Sequence, residues 1–158
     1  MWEKRILIFA VGFILIIPAF LSAQTAAELE AVLESPAVSF AQAAQFVIAS
    51  AGSASEGSEE AAAEREAGFR QAMDRRWLRE GTSPDGSITL GRLSFLVMKA
   101  FNLKGGMMYA IAPGPRYAYR SMVSRSYIQG ASDPAMTVSG ERFLQILGRV
   151  LSDTGEDQ

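Results

Sequence analysis

The chain contains no cysteine and no histidine. The first absence removes disulfides, thiol nucleophiles and thiolate metal ligands, so core packing alone must hold the fold. The second removes Ser-His triads, imidazole acid or base chemistry and histidine ligation of haem. Charge of one sign is scarce too: 15 basic against 17 acidic residues leave a formal −2, which gives no footing for non-specific nucleic-acid binding. There is no Gly-x-Ser-x-Gly elbow, no Ser-x-x-Lys, no phosphate-cradling glycine-rich loop with its lysine, and no obvious carboxylate pair. The expectation is a protein that is not an enzyme, with no cofactor, no metal and no nucleic-acid partner.

What is present starts with Lys4 and Arg5, an apolar run from Ile6 to Leu21 broken by Pro18, and Leu21-Ser22-Ala23 before Gln24. The run falls short of the roughly 20 residues of a spanning helix and ends in small residues, the pattern of a secretory signal peptide over 1–23. Leu-Ser-Ala-Gln resembles a lipobox with Gln24 in place of the lipidated cysteine, so no acyl anchor is expected. This reading puts the protein outside the cytoplasm of a bacterium, periplasmic or on the cell surface. Membrane contact is then confined to the N-terminal segment where that is retained.

Beyond it, three segments start alike at a spacing of 50: Val38-Ser39, Ile88-Thr89 and Val138-Ser139. Each places a β-branched apolar residue before a hydroxyl residue suited to cap a helix, so Ser39, Thr89 and Ser139 are expected N-caps. Apolar positions then recur in register: Ala43, Phe46, Val47, Ala51; Leu93, Leu96, Val97, Phe101; Phe143, Ile146, Leu147, Leu151. Each set is one stripe of an amphipathic helix. A preceding helix is expected in each unit. Phe69–Gly81 aligns with Ala118–Gly130 at an offset of 49, with Met73 opposite Met122 and Arg75, Arg76 and Arg79 in a last helical turn. In the first unit Thr25 to Glu28 forms a capping box opening a helix through Leu33, which Pro36 ends. These features predict an all-α fold of three helix-loop-helix pseudo-repeats (25–52, 58–103, 115–151) packed as one small bundle over 24–151. Gly52 to Gly57 reads as a linker, Lys104 to Pro115 as a more apolar one, and 152–158 as an acidic disordered tail.

A unit of this length, with a first helix ending on glycine, an Asp-Gly loop and a second helix started by Ile-Thr, resembles the S-layer homology (SLH) module. The similarity spans roughly Ala26 to Leu151 and is clearest over Trp77 to Leu103. The resemblance implies a three-pronged helical bundle that binds cell-envelope polymers in grooves between its repeats. The family's second helix opens Ile-Thr-Arg-Ala-Glu, and its arginine helps hold an acidic glycan. Here that arginine is replaced by Phe40, Leu90 and Gly140, and the glutamate by Gln42, Arg92 and Arg142, so the family's ligand contacts do not carry over.

Three stretches could hold chemistry. Ser83 to Phe101 resembles half of a calcium loop. With Gly86 at the invariant glycine, Asp85 is fifth and Ile88 eighth, but Gly81 is first and Arg92 stands twelfth, where a bidentate Glu is needed. A turn followed by a helix start is the better reading. Arg92 and Arg142 both fall at the third helical position, where the dipole disfavours a cation by about 0.3–1 kcal/mol. They either pair with Asp85, Asp133 or a neighbouring Glu, or join helix-start N–H groups in holding an anion. Finally, Arg116, Tyr117, Tyr119 and Arg120, within the Tyr/Arg loop 109–120, are residue types that anchor binding surfaces. Met107-Met108 reads as core filling. The expected function is a non-catalytic, envelope-associated module binding an anionic cell-wall or surface polymer. The alternative is a periplasmic adaptor or assembly factor contacting an envelope protein through loop 109–120.

Overall fold

A computed structural model describes residues 26–52, 61–130 and 133–156. The expected signal peptide, the Thr25 cap and most of the Gly52–Gly57 linker lie outside them. The chain divides into two compact units, 1–31 and 32–158. In the first, residues 26–31 are helical.

The second unit is all-α: α1 (Phe40–Ser50), α2 (Ala61–Asp74), α3 (Leu90–Ala100), α4 (Met107–Ile111), α5 (Pro115–Ser124) and α6 (Gly140–Glu156). The amphipathic stripes explain the packing, because each helix buries one face. Val47, Leu93, Leu96, Val97, Phe143, Ile146 and Leu147 are all at most 5% exposed. Phe46 is only half-buried and meets Phe143 edge-on, ring centroids 6.3 Å apart. α1 packs on α2, and α3 packs on α5 in the same manner.

At the centre, Val38, Ile88 and Val138 are each 0% exposed. Their backbones close a ring. Val38 N–H donates to the Val138 carbonyl (2.8 Å), Val138 N–H to that of Ile88 (3.1 Å), and Ile88 N–H to that of Val38 (2.9 Å). Three chemically similar residues 50 positions apart thus satisfy one another's peptide groups in an apolar interior, where an unpaired peptide would be costly.

The helix starts are satisfied in an equally regular way. Phe40 and Ala41 N–H donate to the carbonyls of Gly86 and Pro84, and Leu90 and Gly91 N–H to those of Met136 and Pro134. The SPDGSIT stretch therefore does more than turn the chain, since its carbonyls cap the start of α1. Ser39 completes a capping box with Gln42. Thr89 occupies the N-cap position of α3 but makes no side-chain cap bond, and Ser139 reaches the Arg142 N–H only at 3.5 Å. The hydroxyl cap expected at Thr89 is thus absent, and the first two donors of α3 are satisfied by the neighbouring loop alone.

Four further expectations are corrected. Trp77 and Leu78 N–H share the Ala72 carbonyl, and Tyr127 and Ile128 N–H share that of Met122. Met122 is therefore the equivalent of Ala72, at an offset of 50, rather than of Met73. The chain reverses at Arg76 (φ 57) and Ser126 (φ 61), ahead of Gly81 and Gly130, so identical residue types had misaligned the two helices by one. Arg75, Arg76 and Arg79 accordingly follow α2, which ends at Asp74. The Lys104–Pro115 connection holds a helix, α4, whose residues Met107 and Met108 are 78% and 49% exposed and so do not fill the core. Residues 152–156, expected as disordered tail, continue α6. There the Thr154 hydroxyl back-bonds to the Val150 carbonyl, and the Tyr127 hydroxyl donates to the Asp153 carboxylate. Burial first, and then that bond, raises the Tyr127 pKa.

Tyr109 of α4 is buried and meets Phe95 edge-on at 6.3 Å. Its hydroxyl has no hydrogen-bond partner among the described residues, and burial raises its pKa. Removing an unsatisfied buried hydroxyl relieves a desolvation cost, so Tyr109→Phe is expected to raise stability by about 1 kcal/mol in a urea melt. A loss of stability would show that the hydroxyl is bonded.

Candidate functional site

The end of α2, the start of α3 and the start of α5 enclose a groove of about 780 Å³, within the size range of ligand sites. Three turns of chain bring its residues together. The reversal at Arg76 carries Arg76, Trp77 and Arg79 back from the end of α2. The loop-capped start of α3 supplies Arg92, and Pro115, at the first position of α5, sets Arg116 beside them.

Four arginines, an indole and the Phe95 ring thus line one groove, with no carboxylate among the described residues that line it. The salt bridges considered for Arg92 are not formed. Among the described residues its guanidinium lies over the Phe40 ring, 5.7 Å from the centroid, and no carboxylate is within ion-pair distance of any of the four. Arg75 lies 4.9 Å over Trp77, leaving the indole half-exposed. Guanidinium groups that share an apolar wall and lack internal counter-ions present planar donors to an external anion. The helix-start N–H groups do not join them as expected, since those of Leu90 and Gly91 are already used.

A second groove, of about 810 Å³, lies between α1 and α2 and gives an internal comparison. Ser39, Ala41, Gln42, Glu66, Pro84 and Asp85 line it, and the residues 50 positions later are Thr89, Gly91, Arg92, Arg116, Pro134 and Ala135, all in the arginine groove. At three of these six positions the change makes the groove more positive: Gln42 to Arg92 and Glu66 to Arg116 bring in a cation, and Asp85 to Ala135 removes an anion. In the first groove Glu66 pairs with Arg70 at 2.5 Å and signs are mixed; in the second they are uniform.

The remaining predicted residues do not converge. Arg142 donates to the Gln129 carbonyl at 3.3 Å and does not line the arginine groove. The Tyr117 and Tyr119 rings are half-buried against the core, and Arg120 is exposed, outside the groove. Arg76, Trp77 and Arg79 are not among the residues expected to bind, Arg76 and Arg79 being placed only in a last helical turn. The signal available was the 50-residue spacing, since the end of α2 lies beside the start of α3. The left-handed backbone at Arg76 recurs at Ser126 and so belongs to the fold; only the side chain is particular to this groove.

Comparison with protein-family models, with curated proteins and with solved structures finds no match to this chain.

Proposed function

We propose that the helical part of this chain is a three-unit module similar to the SLH fold, which binds an anionic cell-wall or surface glycan in the envelope of a bacterium without catalysis. The arginine groove carries this reading. It offers four guanidinium groups for carboxylate or phosphate substituents, and the half-exposed Trp77 indole as an apolar contact for a sugar ring. The interlocking of Val38, Ile88 and Val138 and the 50-residue correspondence of the two grooves support the repeat. The adaptor reading is less favoured, because the aromatic anchors it needs, Tyr109, Tyr117 and Tyr119, are turned toward the core.

Full-length protein should sediment with purified sacculi or bind an acidic polysaccharide, with affinity falling as salt rises. Arg92→Glu with Arg116→Glu should weaken this on the order of 100-fold, since each charge-assisted bond is worth about 1.5–3 kcal/mol. Arg65→Glu, in the groove of mixed sign, should leave binding within about twofold. Equal loss in both variants would discard the arginine groove as the site.

A further inference from the structure

We propose that α4 and the cations at its base form a docking surface for an anionic lipid bilayer, distinct from the glycan groove. The sequence reading confined membrane contact to the N-terminal segment; this surface lies about a hundred residues later. Met107 and Ile111, one turn apart, are 78% and 73% exposed, and Met108 between them is 49% exposed. Large apolar side chains so exposed on a five-residue helix project into solvent.

The helix is held in that attitude. Gly106 N–H donates to the Ser121 hydroxyl at 3.2 Å, Arg125 donates to the Lys104 carbonyl at 2.7 Å, and the Tyr109 ring is anchored against Phe95. A Cβ on Gly105 would lie 2.4 Å from that ring, so glycine is what lets it seat.

Charge decides the occupant. Between Asp85 and Asp133 the sequence carries no carboxylate and, besides the Arg92 and Arg116 of the glycan groove, four further cations, in a chain of net −2. Two of them stand at the base of α4, Lys104 just before it and Arg125 on the Lys104 carbonyl, where Arg125 also bonds the Tyr127 hydroxyl; a third, the exposed Arg120, immediately precedes the Ser121 that holds Gly106. Apolar side chains projecting beyond a cationic base match the two layers of an anionic bilayer. Methionine and isoleucine enter the boundary of the acyl chains while lysine and arginine meet the headgroups. A protein partner would be expected to offer or meet a pocket with aromatic anchors, and the aromatic of this helix points inward.

The absence of cysteine allows a direct test in the full-length chain. Ala110→Cys, at an exposed position of α4, carries one polarity-sensitive dye. Its emission should shift to the blue on vesicles of about one-third phosphatidylglycerol, at a lipid concentration at least tenfold lower than on pure phosphatidylcholine. Because the N-terminal apolar run is common to every variant, the dye reports insertion of α4 and not attachment alone. Met107→Asp with Ile111→Asp should abolish the shift, and Lys104→Glu with Arg120→Glu should raise the lipid required at least tenfold. Arg92→Glu should leave the shift intact while lowering glycan binding, so the two proposals fail separately. A silent dye, equal response to neutral vesicles, or a shift surviving the double aspartate variant overturns the proposal. A lipid-free shift that grows with protein concentration assigns the surface to contact between copies and overturns it too.

Discussion

Gly140→Ala is expected to destabilise the protein by about 3–5 kcal/mol, beyond the roughly 1–3 kcal/mol of ordinary overpacking. Gly140 opens α6, and a Cβ there would fall 1.5 Å from the Val32 carbonyl oxygen and 2.6 Å from its carbon. Both are backbone atoms, so no rotamer change can make room. The Gly140 N–H also donates to the Ser35 carbonyl at 2.9 Å, so moving the helix start away would break that bond as well. Helix propensity alone predicts the reverse sign, a gain near 1 kcal/mol. Gly148 lies in the same helix with nothing within 4 Å of its added Cβ, and Gly148→Ala should show that gain. Urea denaturation of the two variants separates space from propensity. Similar small effects from both would mean that the close approach of Val32 to α6 is wrong.

The second large effect is expected at Leu96. It is 0% exposed on the inner stripe of α3, and truncation to Ala should cost roughly 2–5 kcal/mol through lost transfer energy and the cavity left behind. For a domain of this size that is a fall in Tm of about 10 °C or more. Stability within about 0.5 kcal/mol of the parent, the range of surface substitutions, would refute the central-core assignment. Leu151 occupies the last position of the α6 stripe but is 40% exposed, so Leu151→Ala serves as the matched surface control.

How far the site could be read from the residues depended on the kind of contact. The arginines at the third helical position were conspicuous because they oppose the helix dipole, a local effect visible in any sequence. Their fates then differ. Arg92 faces an acid-free groove, whereas Arg142 is bonded to the Gln129 carbonyl. Glu141 offsets Arg142 locally where Gly91 does nothing for Arg92, but neither neighbour indicates what the rest of the chain places opposite. The contribution of Arg76, Trp77 and Arg79 was not legible, because it depends on a left-handed residue at Arg76, a conformation rare for arginine and not readable from its type. Met107 and Met108 failed in the other direction, since apolar character says that burial is favourable but not whether a surface is within reach.

The sequence by itself determined the helical character, the 50-residue period and the stripes that become the core. These rest on local propensity and on periodicity, which act along the chain and need no partner. Tertiary structure alone decided that the Val38, Ile88 and Val138 backbones close on one another, that neighbouring loops and not the Thr89 hydroxyl satisfy the start of α3, and that four arginines share a groove with no acid among the described residues lining it. Each of these depends on what segments some 50 residues apart place beside one another, and such pairings exist only once those segments have packed.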